Sequence, residues 1–401
     1  MNGKFKSLLL ASGVIFLGVA LIQFPKDALE ASLRGLDLWW EIVFPSLLPF
    51  FITSELLIAF GVVKFFGILC EPFMRPLFNV PGAGGFVWAM GMASGYPSGA
   101  KLTARLRQER QISKIEAERL VSFTNASNPL FIIGAISVGF FHDPKLGILL
   151  AACHYVGNFF VGICMRFYGK NEFNSKTKRP RFSIRRAFHV LHITRISDQR
   201  PFGKIFGDAV VNSIQTLMMI GGFIIIFSVM NKLLFLVNIT PFIANIFHFI
   251  FAILGLPNEL ALPFISGLFE ITLGAQMTAQ TDQATLLQQV ILVSFVLGFN
   301  GFSVQAQVAS ILAETDIRFA PYFFARLLHG VFASVLAIIL FKPLYIDQNT
   351  VQTGDLPVSG EPKGISIWSE ILEFFQHFGP IFTMLCILIG IITLYKRRMT
   401  T

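Results

Sequence analysis

Residues 94–101 read Ser94-Gly95-Tyr96-Pro97-Ser98-Gly99-Ala100-Lys101 and close a short, Gly-rich apolar stretch near 84–98. Residues 267–274 read Gly267-Leu268-Phe269-Glu270-Ile271-Thr272-Leu273-Gly274, inside a second short stretch near 260–275. Neither makes a sound membrane-crossing helix. A span needs about 20 apolar residues, and a charge such as Glu270 is expensive at mid-membrane. Both stretches are therefore expected to be re-entrant hairpins, since non-helical backbone at that depth is tolerated only where protein or a wet cavity covers it.

One shift of 175 residues relates the two regions. Gly99-Ala100 falls on Gly274-Ala275, Thr103-Ala104 on Thr278-Ala279, Asn125 on Asn300, and Asn128 on Ser303. Two separate motifs sharing one offset indicate a duplication. After the first hairpin, 101–119 holds Lys101, Arg105, Arg107, Arg110, Lys114 and Arg119, whereas 276–294 holds no Lys or Arg and Asp282 is its only charge. Equivalent segments of opposite charge bias belong on opposite sides of a membrane. The copies are thus expected to be inverted, the architecture of secondary transporters, with a substrate site near the midplane. The helix 101–119, charged on most sides, is expected to be a solvated cytoplasmic arm.

Composition agrees. The 401 residues are 54% hydrophobic and 14% charged, against about 25% charged in soluble domains. That excludes a soluble enzyme, a disordered chain and a secreted disulfide scaffold. It leaves an all-α polytopic membrane protein with two inverted-topology repeats, set in a lipid bilayer. Apolar stretches fall near 7–24, 36–60, 62–79, 84–98, 120–141, 145–167, 206–237, 241–256, 260–275, 286–312, 319–343 and 380–395. The expected division is an N-terminal transmembrane helix (1–34), a first repeat (35–165), a basic cytoplasmic linker (166–205), a second repeat (206–343), an external loop (344–366) and a C-terminal transmembrane helix with a basic tail (367–401). Lys4 and Lys6 precede an uncharged run ending at Pro25 with no A-x-A site, so the first helix reads as uncleaved, its N-terminus inside. The net charge of +9 marks cytoplasmic loops, and no nucleic-acid partner is expected. Cys70, Cys153, Cys164 and Cys386 lie far apart, without zinc or disulfide spacing.

Several residues could carry chemistry. At the first tip, Pro97 suits a helix start. The free N–H groups of that helix, with Ser94, Ser98, Gly99 and Lys101 nearby, could receive an anionic or carbonyl-bearing group; alternatively the tip is a packing corner of small residues. Tyr96 belongs to the same tip. Glu270, beside Thr272, could hold a hydroxyl or amine, titrate as a coupling proton site, or pair with a buried base such as Arg326. Asn125 and Asn128, and Asn300 and Ser303, are i, i+3 pairs expected to share a helix face. Pro129 and Gly301 weaken the helix beside each. These groups could coordinate substrate or sodium, or bond between helices. His154, Asn158, Asn212, Gln215, Arg326 and His329 read as internal hydrogen-bond partners. No P-loop or HExxH motif is present, so no enzyme is expected. No cofactor or metal is expected either. A coupling proton or a sodium ion is compatible with the motifs, and so is an oligomer.

The tip Ser94–Lys101, the string GLFEITLG around Glu270 and the string GFNGFS around Asn300 resemble the nucleoside-recognition Gate domain superfamily over roughly residues 35–340. Within it the chain is similar to the YlbJ-like sporulation integral membrane proteins, and more distantly to concentrative nucleoside transporters. The transporter resemblance implies a site between two re-entrant hairpins and two unwound helices, with Glu270, Asn300 and Ser303 matching the second-half pattern. The first-half Gln-Thr-Glu tip is replaced by Gly95-Tyr96-Pro97-Ser98. Loss of that carboxylate, with Lys101 close by, suits a small anion. The sporulation resemblance implies transport of dipicolinic acid, a planar dianion, from the mother cell across the outer forespore membrane.

Overall fold

A computed structural model describes residues 3–169 and 183–347. Most of the expected external loop, the expected C-terminal helix and part of the basic linker lie outside the described residues. Within them, all regular structure is helical.

Helix α1 (Gly3–Gln23) turns by 105° into α2 (Pro25–Asp37), where Pro25 occupies the start of the second helix. A π-helical turn (Leu38–Val43) leads to α3 (Phe44–Ala59), and α4 (Val62–Phe78) follows. Gly61, at φ 76°, makes the 83° bend between α3 and α4. A side chain there would be strained and would meet Thr194. The first hairpin is α5 (Ala83–Ser94) and α6 (Ser98–Gln108), with its tip at residues 95–97. A Ser113–Glu116 capping box opens α7 (Lys114–Thr124). Residues 125–128 are irregular, because Pro129 disfavours helix in the residue before it. A π-helical segment (Leu130–Phe140) and α8 (Leu146–Met165) complete the first half.

The second half repeats this order. After α9 (Ile184–Ser197) comes α10 (Phe202–Leu236) and then α11 (Ile239–Ile253). The second hairpin, α12 (Ala261–Phe269) and α13 (Ile271–Ala279), breaks at Glu270. Helices α14 (Leu286–Phe299), α15 (Gly301–Ala313) and α16 (Phe319–Phe341) follow. Adding 175 to the bounds of α4 to α8 reproduces those of α11 to α16 to within a few residues.

The halves pack about an approximate two-fold axis. Helix α7 packs on α16 as α14 packs on α8, and α6 packs on α15 as α13 packs on the 130–140 segment. His154 and His329, 175 residues apart, meet with ring centroids 4.7 Å apart. A residue touches its own equivalent only at such an axis. The equivalent helices α8 and α16 are antiparallel. The Arg318 guanidinium, beside the start of α16, donates to the Tyr168 hydroxyl just past the end of α8 (2.9 Å). At the other end the Tyr345 hydroxyl, beyond α16, donates to Asp143 ahead of α8 (2.6 Å). The two copies are therefore inverted relative to one another.

The expected solvated arm at 101–119 is a correction. The segment is two helices, α6 and α7, and every residue from Ile115 to Thr124 is buried. Residues 108–110 are exposed, and the charges of the buried part are matched internally. Glu118, fully buried, accepts from Arg318 and from the Tyr168 hydroxyl. Arg119 donates to the carbonyls of Asn79 and Tyr168. Charge counting along the chain does not see partners that lie 200 residues away.

Helices or helix pairs at Leu146–Met165, Phe202–Leu236, Leu286–Ala313 and Phe319–Ile346 are long and apolar enough to cross a membrane. The bent pairs α1–α2 and α3–α4 raise the number to six. With apolar surface exposed along much of α1, α10 and α16, the chain is an all-α polytopic membrane protein.

Candidate functional site

Both hairpins are held shut by backbone contact between glycines and their neighbours. The Thr124 carbonyl lodges between the arms of the first, where a Cβ on Gly91 or Gly99 would come within about 2 Å of it. In the second, a Cβ on Gly274 would strike the Gly267 backbone. Only glycine permits so close an approach.

The two tips meet in one cavity of about 390 Å³. Ser94, Tyr96 and Asn128 line it from the first half, and Glu270, Thr272 and Ser303 from the second. The Glu270 carboxylate turns back on its own helix, accepting from the backbone N–H groups of Thr272 (3.1 Å) and Leu273 (2.7 Å). It caps α13, where the helix dipole favours negative charge. It does not pair with Arg326.

Asn128 accepts from the Phe131 N–H (2.7 Å) and donates to the Ser94 carbonyl (3.1 Å), tying the irregular segment to the first tip. Ser98 hydrogen-bonds Ser94 and lies behind the cavity wall. The Tyr96 hydroxyl crosses to the second half and donates to the Leu297 carbonyl (2.8 Å).

Asn125 and Asn300 do not face the cavity. Both are fully buried at the axis, where they share Tyr322. Asn125 donates to the Tyr322 hydroxyl (2.8 Å), which in turn donates to the Asn300 amide oxygen (3.0 Å), while the Asn300 nitrogen donates to the Leu297 and Gly298 carbonyls (2.9 and 3.1 Å). The expectation that each i, i+3 pair shares a helix face is corrected here. Helix α7 ends before Asn125, and Asn300 itself, at φ 74°, forms the break between α14 and α15. In each half the first member of the pair holds the axis and the second lines the cavity.

Arg326 is fully buried beside these residues. It donates to the carbonyls of Ser122 and Asn125 and to the Asn158 amide oxygen. A guanidinium at the end of α7 complements the negative end of that helix. His154, Asn158 and His329 are likewise internal partners, as expected, whereas Asn212 and Gln215, expected to be so too, are exposed on α10. Gly99 lies against Thr124, and Lys101 lies two residues further along α6, beside Glu55. Neither lines the central cavity.

Two further cavities flank the central one, and α10 borders all three in order. Its residues from Ile205 to Asn212 line a cavity of about 370 Å³, Ile220 and Ile224 line the central one, and Ile224 to Phe235 line a third of about 560 Å³. At about 1.5 Å per residue α10 is roughly 52 Å long, more than the roughly 30 Å hydrocarbon core. The first cavity is also lined from α9 and so opens at the face bearing the basic linker. The third carries Arg34 and Lys232 and shares Leu38, Ile224, Glu270 and Thr272 with the central cavity.

Sequence reasoning missed Gln307, Ser127 and Glu55, which line these cavities, and Tyr322. A signal existed for Glu55 and Gln307. Each is a polar side chain inside a long apolar run, and the cost that singles out Glu270 applies to Glu55 as well.

These inverted hairpins and their shared cavity define a Gate-type membrane protein. The chain belongs to that family: the Gate family model, described as nucleoside recognition, matches residues 40–141 and 217–316, one match in each half. The sporulation integral membrane protein YlbJ of Bacillus subtilis (strain 168) is 53% identical over 408 aligned positions, covering 99% of this chain and 98% of that protein. No solved structure matches the chain.

Proposed function

We propose that the protein is a secondary carrier that moves a small organic anion, dipicolinate, across the outer forespore membrane during sporulation by alternating access. It binds and releases its cargo unchanged, as a carrier rather than an enzyme. The observation that supports this most is the meeting of Tyr96 and Glu270, from tips entering from opposite directions, in one central cavity. Its volume lies within the roughly 300–1,000 Å³ of small-molecule sites.

Basic side chains stand on both approaches, Arg34 and Lys232 with Asp37 on one side and Lys101 with Glu55 toward the other, and these are the groups an anionic cargo would meet. The hydroxyls of Ser94, Thr272 and Ser303 and the amides of Asn128 and Gln307 would bind its oxygens. Glu270 occupies the N–H groups that start α13. A substrate carboxylate competes for those groups once Glu270 takes a proton, which makes Glu270 the coupling site. The positive-inside rule places the face of the basic linker in the cytoplasm, so export runs from the first cavity to the third.

The test is uptake of labelled dipicolinate into proteoliposomes under imposed pH or sodium gradients, with uridine as competitor. The expected outcome is saturable uptake driven by one gradient, lost in Glu270→Ala and Asn300→Ala although both variants insert normally. Uridine uptake independent of dipicolinate would instead establish a nucleoside carrier. That reading is favoured by one observation, the carboxylate of Glu270 in the cavity wall. Transport of neither would leave a membrane scaffold.

A further inference from the structure

The three cavities along α10 are not equally separated. The central and third share four wall residues. Between the first and the central, α10 runs from Asn212 to Ile220 without lining either, a rise of about 12 Å. Helix α3 shows the same gap, from Leu47 on the central cavity to Glu55 on the first. The barrier between them is therefore thick on the linker side and one residue thick on the far side.

Phe51 and Leu217, at 1% and 0% exposure, pack together within that barrier. The Trp39 indole donates to the Leu217 carbonyl (2.9 Å) and holds this part of α10 in place. Through the same layer passes the side chain of Lys101. Its ammonium lies 3.5 Å from Glu55 and 4.9 Å from the centre of the Phe51 ring. The Nζ atom is buried and has no hydrogen-bond partner among the described residues. An ammonium carries three donors, and one long ion pair with one ring face leaves most of that capacity unmet. A buried charge so poorly matched is costly, and a passing carboxylate would satisfy it better than Glu55 does.

We propose that the Lys101–Glu55 pair, closed over by Phe51, is the linker-side gate of the pathway. When the barrier opens, Lys101 leaves Glu55 and takes the carboxylate of the anion entering from the first cavity. Lys101 is then a specificity-determining contact used in passage, and Glu55 is its resident stand-in while the gate is shut. The anion contact rests on the carrier reading above; the gate itself does not.

The experiment separates the two. In full-length protein with Cys70, Cys153, Cys164 and Cys386 changed to Ala, Ala135→Cys places one thiol on the central cavity wall. A membrane-impermeant maleimide is applied to inverted and to right-side-out vesicles. The parent should label slowly from the linker side. Glu55→Gln should raise that rate by about tenfold or more, given the cost of removing one member of a largely buried pair. The exchange Glu55→Lys with Lys101→Glu should restore slow labelling yet abolish dipicolinate uptake. Unchanged labelling in Glu55→Gln overturns the gate. Slow labelling with normal dipicolinate uptake in the exchanged pair overturns the anion contact. If the parent carries no anion at all, the carrier reading and the anion contact fall together, while the labelling rates still decide the gate.

Discussion

Tyr322 uses its one hydroxyl twice, accepting from Asn125 and donating to Asn300, and so links the broken helices of the two halves. Tyr322→Phe removes both bonds and leaves two buried amides short of partners. It should lower stability by about 1–3 kcal/mol, measured as unfolding of the detergent-solubilised protein, with the ring packing kept. Gly99→Ala acts differently, through volume. The new methyl would lie 2.1 Å from the Thr124 carbonyl, so the hairpin must open. The expected loss is about 1–3 kcal/mol or more, seen as a lower midpoint of thermal unfolding. Asn125, Asn300 and Glu270 were legible as important polar residues because each is expensive in an apolar run. Their division of labour was not legible. Helical spacing assumes a helix, and Pro129 and Asn300 remove it where the motifs lie.

At the scale of elements, ion pairs fasten the first hairpin to the second half. Arg107, in the last turn of α6, holds Asp316 ahead of α16 through two bonds of 2.8 Å. The bond from Arg107 keeps the Asp316 carboxyl below its ordinary value of 3.8. A carboxylate with a lowered folded value stabilises the fold above its unfolded value and loses that contribution as pH falls through the folded one. The difference in melting temperature between wild type and Asp316→Asn should therefore be present at neutral pH and vanish in strong acid. It should also be small, since exposed pairs contribute about 0–1 kcal/mol. Arg318→Ala should cost more, because Glu118 beneath it is fully buried. The hairpins themselves were readable from breakers and length. Burial of α7 was not, because the partners of its charged residues are distant in sequence: Arg75 for Glu116, the Asn79 and Tyr168 carbonyls for Arg119, and Arg318 from the other half for Glu118.

For the whole molecule, the antiparallel packing of α8 on α16 places the bases of the two hairpins at opposite ends. A cysteine at Gln108, exposed beside the first hairpin's base, should label from the linker face, and one at Asp282, exposed beside the second's, from the other face. Labelling of both from one side would contradict the inverted arrangement. That arrangement was legible because positive charge records sidedness during insertion. The row of three cavities along α10 was not, since a run of apolar residues does not tell which of them face protein and which face a hollow.

The duplication has also been edited at its centre. Arg326 clamps the end of α7, but the residue 175 positions earlier is Ala151, so among the described residues no guanidinium grips the matching end of α14. Neutral donors from Tyr96, Asn300 and Gln305 do that work instead. A rocking motion that exchanged the roles of the halves would thus start and finish at unequal energies. The two ends of that exchange would differ by one buried guanidinium and its carbonyl bonds.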